Sequence, residues 1–189
     1  GLSYTTFDWE LIASKPAKNQ PINGNQEISL QVKVTNTGDR NGRDVVEAYL
    51  TAPYYPGQIE KSSVKLVGFA KTPVIKPGES IIVPLTIHTY DFQSYDCYDK
   101  NDNGHTGYEL DKGEYKIKLM KNSHVIKENM PGIGNTLTYN VINTINVDTD
   151  YQTGHSVKNL FTGDDAVDFG LSCDGSNANQ NVLNLINGK

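Results

Sequence analysis

Cysteine and histidine are scarce in this sequence, which leaves few ligands for a metal centre and few cross-links for a small secreted fold. There are two cysteines and four histidines in 189 residues. One possible pair, Cys97 and Cys173, is far from a disulfide framework, so we expect thiols at both positions. No histidine stands at zinc-ligand spacing from another histidine or from a cysteine. We expect polar surface at each histidine: His88, His105, His124 and His155.

Long apolar runs and clusters of positive charge are also missing. No apolar stretch approaches the roughly 20 residues of a membrane span, and the mean hydropathy is −0.51. We therefore expect a soluble chain without a membrane partner. The formal net charge is −5 and the basic residues are dispersed, which argues against a nucleic-acid partner. The start of the sequence does not read as a secretion signal, and the cellular compartment stays open.

The motifs of common catalytic sites are absent as well. The sequence has no serine or cysteine nucleophile motif, no phosphate loop and no dinucleotide fingerprint. Asp8 and Glu10 stand two residues apart, as a catalytic pair could. Their predicted strand face is solvated, however, and lacks the burial that tunes a general acid. We expect no catalytic residue in this chain.

Apolar and polar residues alternate with period two through the first three quarters of the sequence. In "ISLQVKVTN", the residues Ile28, Leu30, Val32 and Val34 fall on one face, which is typical of a half-buried strand. Six further stretches have the same character: "FDWELIAS", "DVVEAYLT", "VKLVGFAK", "SIIVPLTIH", "EYKIKLMK" and "TLTYNVIN". About seven short strands with almost no helical periodicity predict an all-β fold, an antiparallel sandwich of the immunoglobulin or fibronectin type III kind.

Three local signals refine this prediction. The turn "TGDRNGR" between the second and third strands suggests that these two strands form a hairpin. Pro84 lies inside a predicted strand and cannot donate to a ladder, so that strand should lie at a sheet edge or carry a bulge. Tyr115 follows "LDKGE" at a strand corner, where a tyrosine hydroxyl can bond to upstream backbone.

The composition changes near residue 145. We assign residues 1–145 to the sandwich and residues 146–189 to an irregular linker or arm, because the later part is too rich in Asn, Asp, Gly and Ser to bury its own core. Within it we expect one strand around "HSVKNLF" and a short helix over residues 179–186, where Val182, Leu183 and Ile186 share a face.

The stretch from Cys97 to Tyr115 has part of a calcium-loop pattern. An EF-hand loop needs oxygen ligands at its first, third and fifth positions, glycine at the sixth and a bidentate glutamate at the twelfth. The first four requirements are met by Asp99, Asn101, Asn103 and Gly104. The twelfth position is Leu110, however, and Glu109 falls one residue early. Because flanking helices are also missing, an EF-hand is disfavoured.

Two other interpretations of the stretch stay open on the sequence alone. One is a looser calcium site made of Asp99, Asn101 and Asn103 with Asp96 or Glu109. The other is a long hairpin loop in which Asn and Asp side chains cap local backbone and the two glycines, Gly104 and Gly107, supply positive φ.

Three stretches occur in an order that resembles a known family. They are "GLSYTTF" at 1–7, "VKVTNTGDRNGRDVVEAYL" at 32–50, and "KLVGFAKTPVIKPGESIIVPLTI" at 65–87 with "LDKGEYKIKL" behind it. Together they resemble the fibronectin type III-like domain of glycoside hydrolase family 3, whose members are mostly β-glucosidases and β-xylosidases. The resemblance covers roughly residues 1–142.

The resemblance implies a retaining mechanism whose two carboxylates lie outside this chain. In the family the nucleophile comes from a barrel domain and the acid/base from an α/β sandwich domain, and such groups stand roughly 5 Å apart across the scissile bond. Asp8 is followed by tryptophan, as the family nucleophile is, but Phe7 replaces the serine of that motif. The dipeptide also opens the first sandwich strand, so Asp8 is not expected to be catalytic.

The implied function is therefore that of an accessory domain. The chain would dock on the barrel and α/β sandwich domains of a parent that cleaves terminal β-linked glucose or related sugars, and it would meet carbohydrate through that parent. The alternatives are an independent carbohydrate-binding module and a purely structural or adhesive sandwich. The forty or so residues after the last sandwich strand also resemble permuted members, in which the domain lies mid-chain, although a family-specific extension would look the same.

The loop over residues 91–108 is longer than the usual connection in the family. Long loops on rigid scaffolds often hold function. In the parent it could shape the rim of the sugar site, with Tyr98, His105 and Tyr108 as candidate rim residues. No cofactor is expected, apart from the calcium alternative.

Overall fold

The structure is a computed structural model that describes residues 4–128 and 130–161. Cys173 and the helix expected over residues 179–186 lie outside these ranges. The described strands are β1 Phe7–Lys15, β2 Glu27–Asn36, β3 Val45–Thr51, β4 Lys65–Lys71, β5 Ser80–His88, β6 Ser94–Asp96, β7 Gly107–Leu110, β8 Gly113–Asn122, β9 Val125–Ile126, β10 Thr136–Val141 and β11 Ile145–Val147. A short 3-10 helix covers Thr89–Phe92. Among the described residues, no helix has the length and apolar character of a membrane span.

Two antiparallel sheets build the sandwich. The first sheet has the order β1-β2-β5, and the second has the order β10-β8-β3-β4 with β9 paired to β8. The inner faces consist largely of alternate strand residues, and the buried side chains form one core. In β4 a register shift against β3 interrupts the alternation. All seven predicted strands are present as β1, β2, β3, β4, β5, β8 and β10. The prediction of an all-β antiparallel sandwich is confirmed.

Alternation of apolar and polar residues explains which strand faces are buried, and a bulge explains where the pattern fails. In β2, Ile28, Leu30, Val32 and Val34 are buried, while the residues that alternate with them face outward. In β1 the pattern holds from Phe7 to Leu11, and a register shift between Leu11 and Ala13 then breaks the pairing with β2. A bulge changes the side-chain facing beyond it, so Ala13 is not a core residue of the described sheet.

The predicted hairpin between β2 and β3 is wrong, because the two strands belong to different sheets. The segment between them crosses the sandwich, and a buried side chain at the end of β2 fixes it. Asn36 Nδ2 donates to the carbonyl oxygens of Arg40 and Ile75, at 2.7 and 2.8 Å. Its Oδ1 accepts from the Gly38 amide at 3.1 Å. The prediction for Pro84 is confirmed, since β5 is an edge strand.

A third, small sheet was not predicted. It has the order β11-β7-β6 and takes its strands from both ends of the long loop and from the segment after β10. The division at residue 145 stays a prediction, and β11 lies directly on it. The strand expected around "HSVKNLF" is wrong, since only an isolated bridge between Thr149 and Ser156 forms there. A tight turn explains this, because Asp150 Oδ1 accepts from the amides of Gln152 and Thr153.

Candidate functional site

Loops from four parts of the chain meet beside the small sheet, and the sequence-predicted site residues lie there. Tyr98 is 64% exposed and Tyr108 is 42% exposed. His105 differs from the expected polar surface, because its side chain is only 14% exposed and its Nδ1 lies 3.7 Å from Asp148 Oδ1. Its Nε2 lies 3.3 Å from the Tyr108 carbonyl oxygen. The role of Tyr98, His105 and Tyr108 at a sugar-site rim stays a prediction.

Asp99 is occupied by local backbone. Its two carboxylate oxygens accept from the amides of Asn103 and Gly104, at 2.8 and 3.0 Å. Asp99 and Gly104 have φ values of +51° and +79°, which fit a tight turn held by an aspartate side chain. This geometry favours the interpretation of the stretch as a loop whose side chains cap its own backbone.

The other two candidate calcium ligands direct nitrogen toward the buried glutamate. Asn101 Nδ2 donates to Glu109 Oε1, and Asn103 Nδ2 donates to Glu109 Oε2 at 2.7 Å. Asn101 Oδ1 is buried without a hydrogen-bond partner. In the described part of the chain, no group of three or more His, Cys, Asp or Glu residues is placed to hold a metal ion. The calcium alternative at Asp99, Asn101, Asn103 and Glu109 stays a prediction.

Three buried carboxylates share this region, and each is held by hydrogen bonds. Asp96 accepts from the amides of Tyr98 and Lys100. Asp111 forms an ion pair with Lys61, with both side chains 6% exposed. Burial raises the pKa of Glu109, and the nearby carboxylates of Asp111 and Asp96 raise it further against the lowering effect of the Asn103 bond. The carboxylates therefore organise the loop.

Lys61 joins two loops that are distant in sequence. Its Nζ bonds to Asp111 Oδ2 and also donates to the Pro53 carbonyl oxygen at 2.8 Å. The Tyr55 hydroxyl donates to the Lys112 carbonyl oxygen at 2.8 Å and makes a second tie between the same loops. Sequence reasoning missed Tyr55, Lys61 and Asp111 as site residues. The available signal was "PYYPG", where two adjacent tyrosines stand between prolines.

A cleft of about 230 Å³ opens between these loops. Its lining comprises Tyr55, Gln58, Asn101, Asn103, Asp111, Lys112 and Thr144. Asp111, whose carboxylate pairs with Lys61, lines the cleft together with Asn101, Asn103 and the exposed Tyr55. The cleft is shallow and open, and its lining residues are polar apart from one aromatic side chain, which suits a small ligand with both polar and apolar faces.

The segment after β11 returns to the long loop through an aromatic cluster. The Tyr95 ring lies edge-on to Tyr108 at 4.8 Å and to Phe161 at 5.6 Å between ring centroids. The Tyr95 hydroxyl donates to Asn159 Oδ1 at 3.1 Å, and Asn159 Nδ2 donates to the Cys97 carbonyl oxygen at 3.1 Å. The long loop therefore fixes the path of the chain up to residue 161.

Asp8 and Glu10 lie on the outer face of the first sheet, as expected. Asp8 is exposed, and Glu10 Oε2 lies 3.6 Å from the ammonium of Lys33 on the neighbouring strand. Trp9 faces the other way and donates its indole N–H to Asp44 at 2.7 Å. Neither carboxylate has the enclosed surroundings of a catalytic acid.

An exposed apolar surface lies on the edge strand β4. Phe69 is 66% exposed and Leu66 is 46% exposed, and their strand partners Glu47 and Tyr49 lie on the same face. Nothing in the described chain pairs with the free edge of β4. Large apolar side chains at an open sheet edge mark a surface that another protein surface covers, or an aggregation hazard.

Comparison with known proteins identifies relatives of the same architecture. A family model described as "Fibronectin type III-like domain" matches residues 44–123. β-Glucosidase A of Butyrivibrio fibrisolvens is 35% identical over 127 residues, which is 63% of this chain and 15% of that protein. A β-glucosidase of Ruminococcus albus is 34% identical over 107 residues, which is 57% of this chain and 10% of that protein.

A solved structure of β-glucosidase 3B from Thermotoga neapolitana in complex with glucose superposes with a TM-score of 0.58 at 30% identity. The match covers 77% of this chain and 17% of that chain. The sequence therefore spans only a small part of the length of each of these relatives.

Proposed function

We propose that this chain is a non-catalytic accessory domain of a β-glucosidase of glycoside hydrolase family 3. Residues 44–123 match the fibronectin type III-like family model, and the chain is related to β-glucosidases. In this proposal it stiffens the parent by docking on the neighbouring catalytic domains, which cleave terminal β-linked glucose or a related sugar. The observation that carries the proposal is the small share of each relative that the chain matches, 15% for the Butyrivibrio enzyme.

The surface of β4 supports docking. Phe69 and Leu66 expose apolar area on an edge strand, and burial of such area stabilises a contact by about 25 cal/mol per Å². Two lysines begin and end the same strand: Lys65, whose Nζ donates to the Asp91 carbonyl oxygen at 2.6 Å, and Lys71, which is exposed. A partner surface that fits this strand is apolar in its centre and carries acidic groups at its rim.

The use of the acidic residues supports a non-catalytic role. Retaining glycosidases need two carboxyl groups roughly 5 Å apart that face a sugar. Glu10 is paired with Lys33 at the surface, and Asp111 is paired with the buried Lys61. Glu109 is enclosed by the amides of Asn101 and Asn103. Each of these carboxylates already serves the fold.

Substitution on β4 in the full-length parent tests the proposal. Phe69→Asp is expected to lower the melting temperature of the parent by several degrees and to lower its kcat/KM on an aryl β-glucoside, because a buried charge would oppose docking. The same substitution in the 189-residue chain is expected to leave the melting temperature unchanged, since Phe69 is exposed there.

Val125→Asp is the matched control, because Val125 is 44% exposed on the short β9 strand, away from β4. It should leave both proteins unchanged. A parent that tolerates Phe69→Asp as well as it tolerates Val125→Asp would contradict docking through β4. Hydrolysis of the aryl glucoside by the 189-residue chain alone would contradict the non-catalytic role.

A further inference from the structure

The cleft beside the small sheet has a hydrogen-bonded frame. The ammonium of Lys61 bonds to the Asp111 carboxylate and to the Pro53 carbonyl oxygen. The Tyr55 hydroxyl, from the same loop as Lys61, donates to the Lys112 carbonyl oxygen. The backbone amide of Gln58 also donates to the Tyr55 carbonyl oxygen at 3.1 Å and closes the turn from Tyr55 to Gln58. A ring held in this way loses little freedom when a ligand stacks on it.

The frame leaves several groups with unused hydrogen-bonding capacity. Among the described residues, the side-chain amide of Gln58 has no hydrogen-bond partner, although the side chain is half-buried at the cleft wall. The ammonium of Lys112 has no carboxylate partner within the described ranges. Thr144 Oγ1 accepts from the Lys112 amide at 3.0 Å, and its own hydrogen stays available as a donor.

These features match the chemistry of a sugar ring. A pyranose has an apolar C–H face that packs on an aromatic ring, and hydroxyls that both donate and accept hydrogen bonds. The exposed ring of Tyr55 offers the first contact. The side-chain amide of Gln58 has one acceptor oxygen and two donor hydrogens, so it can both donate to and accept from a sugar hydroxyl. Lys112 and Thr144 add further donors.

We propose that this cleft binds a pyranose ring of an oligosaccharide, with Tyr55 as the stacking surface and Gln58, Lys112 and Thr144 as hydroxyl partners. The site is separate from β4 and does not require docking. It would hold carbohydrate near the enzyme without cleaving it. The buried pair of Lys61 and Asp111 holds together two of the loops that line the site.

Titration of the ¹⁵N-labelled 189-residue chain with cellobiose tests this site. Saturable amide shifts are expected around Tyr55, Gln58 and Thr144, and sorbitol, which has hydroxyls but no ring, should cause none at the same concentration. Tyr55→Ala should weaken cellobiose binding by about tenfold. Gln58→Ala should weaken it by several fold without affecting the fold, because that side chain has no partner within the described residues.

Tyr54→Ala is the matched control, because Tyr54 is the adjacent exposed tyrosine and does not line the cleft. It should leave cellobiose binding unchanged. The proposal is overturned if cellobiose causes no saturable shifts, if sorbitol causes the same shifts, or if Tyr55→Ala and Gln58→Ala bind as tightly as the Tyr54→Ala variant. None of these results would affect the test of docking through Phe69.

Discussion

The hydroxyl of Tyr115 donates a buried hydrogen bond of 3.0 Å to the carbonyl oxygen of Asp111, four residues upstream. This bond closes the corner that leads into β8 and confirms the tyrosine corner expected from the sequence. The Asp111 side chain at the same corner is paired with Lys61. Asp111 therefore links the core of the sandwich to the lining of the cleft.

Tyr115→Phe is expected to lower the free energy of unfolding by roughly 1–3 kcal/mol, because it leaves the buried Asp111 carbonyl without its donor while the ring stays in place. Urea unfolding of the 189-residue chain measures the change. Tyr54→Phe, at an exposed tyrosine, should change the same quantity by less than about 0.5 kcal/mol. Equal effects in the two variants would mean that the corner bond contributes nothing to stability.

Lys61→Met is expected to destabilise the chain by roughly 3–5 kcal/mol, because it leaves the Asp111 carboxylate buried and without its cation. Combining it with Asp111→Asn should recover part of this loss, since the uncompensated charge is then removed. Thermal unfolding of the single and double variants gives the coupling. Lys76→Met removes a lysine from the exposed pair with Glu79 and should cost less than about 1 kcal/mol. Strictly additive effects of the two cleft substitutions would contradict the ion pair.

Glu109 should make stability depend on pH above the ordinary pKa of a glutamate, 4.5. Burial raises the pKa of Glu109 in the folded chain above its ordinary value of 4.5. Between the ordinary pKa and the raised pKa, the folded chain therefore binds more protons than the unfolded chain. The free energy of unfolding should therefore fall as pH rises through this window. Glu109→Gln removes the titration and should flatten that part of the curve in urea unfolding. Asp39→Asn, at an exposed acid, is the control. A Glu109→Gln variant with the same pH dependence as the unsubstituted chain would refute this role of Glu109.

Tyr95→Ala is expected to release residues 157–161 from the long loop. The substitution removes both the edge-on contact with Phe161 and the hydrogen bond to Asn159, so limited proteolysis should cut residues 157–161 several times faster. Tyr98→Ala removes a tyrosine that is 64% exposed and should leave the cleavage rate unchanged. Similar rates in both variants would show that Tyr95 does not anchor the segment.

The long strands could be predicted because alternation records directly which face of a strand is buried. The strands β6, β7, β9 and β11 have between two and four residues, which is too short for a period to be recognised. The path of the chain after β2 also could not be predicted from the local sequence pattern. Gly38 and Gly42 indicate a turn, but the buried hydrogen bonds of Asn36 decide that the chain crosses to the other sheet.

The cleft could be predicted only in part, because its contacts join residues that are distant in sequence. Lys61 and Asp111 are 50 residues apart, and Tyr55 and Lys112 are 57 apart. The long loop was recognised from its Asn and Asp content, yet composition does not give the orientation of an amide. Asn101 and Asn103 looked like oxygen ligands, whereas their nitrogens face Glu109.

Amide hydrogen exchange on β4, compared between the full-length parent and the 189-residue chain, tests the central claim most directly. Docking predicts that amides of Lys65–Lys71 exchange more slowly in the parent, because a neighbouring domain covers Leu66 and Phe69. The inner strand β2 is buried in the sandwich and should exchange alike in both proteins. Equal exchange on β4 in the parent and in the separate chain would contradict the proposal that this domain works by docking through that edge.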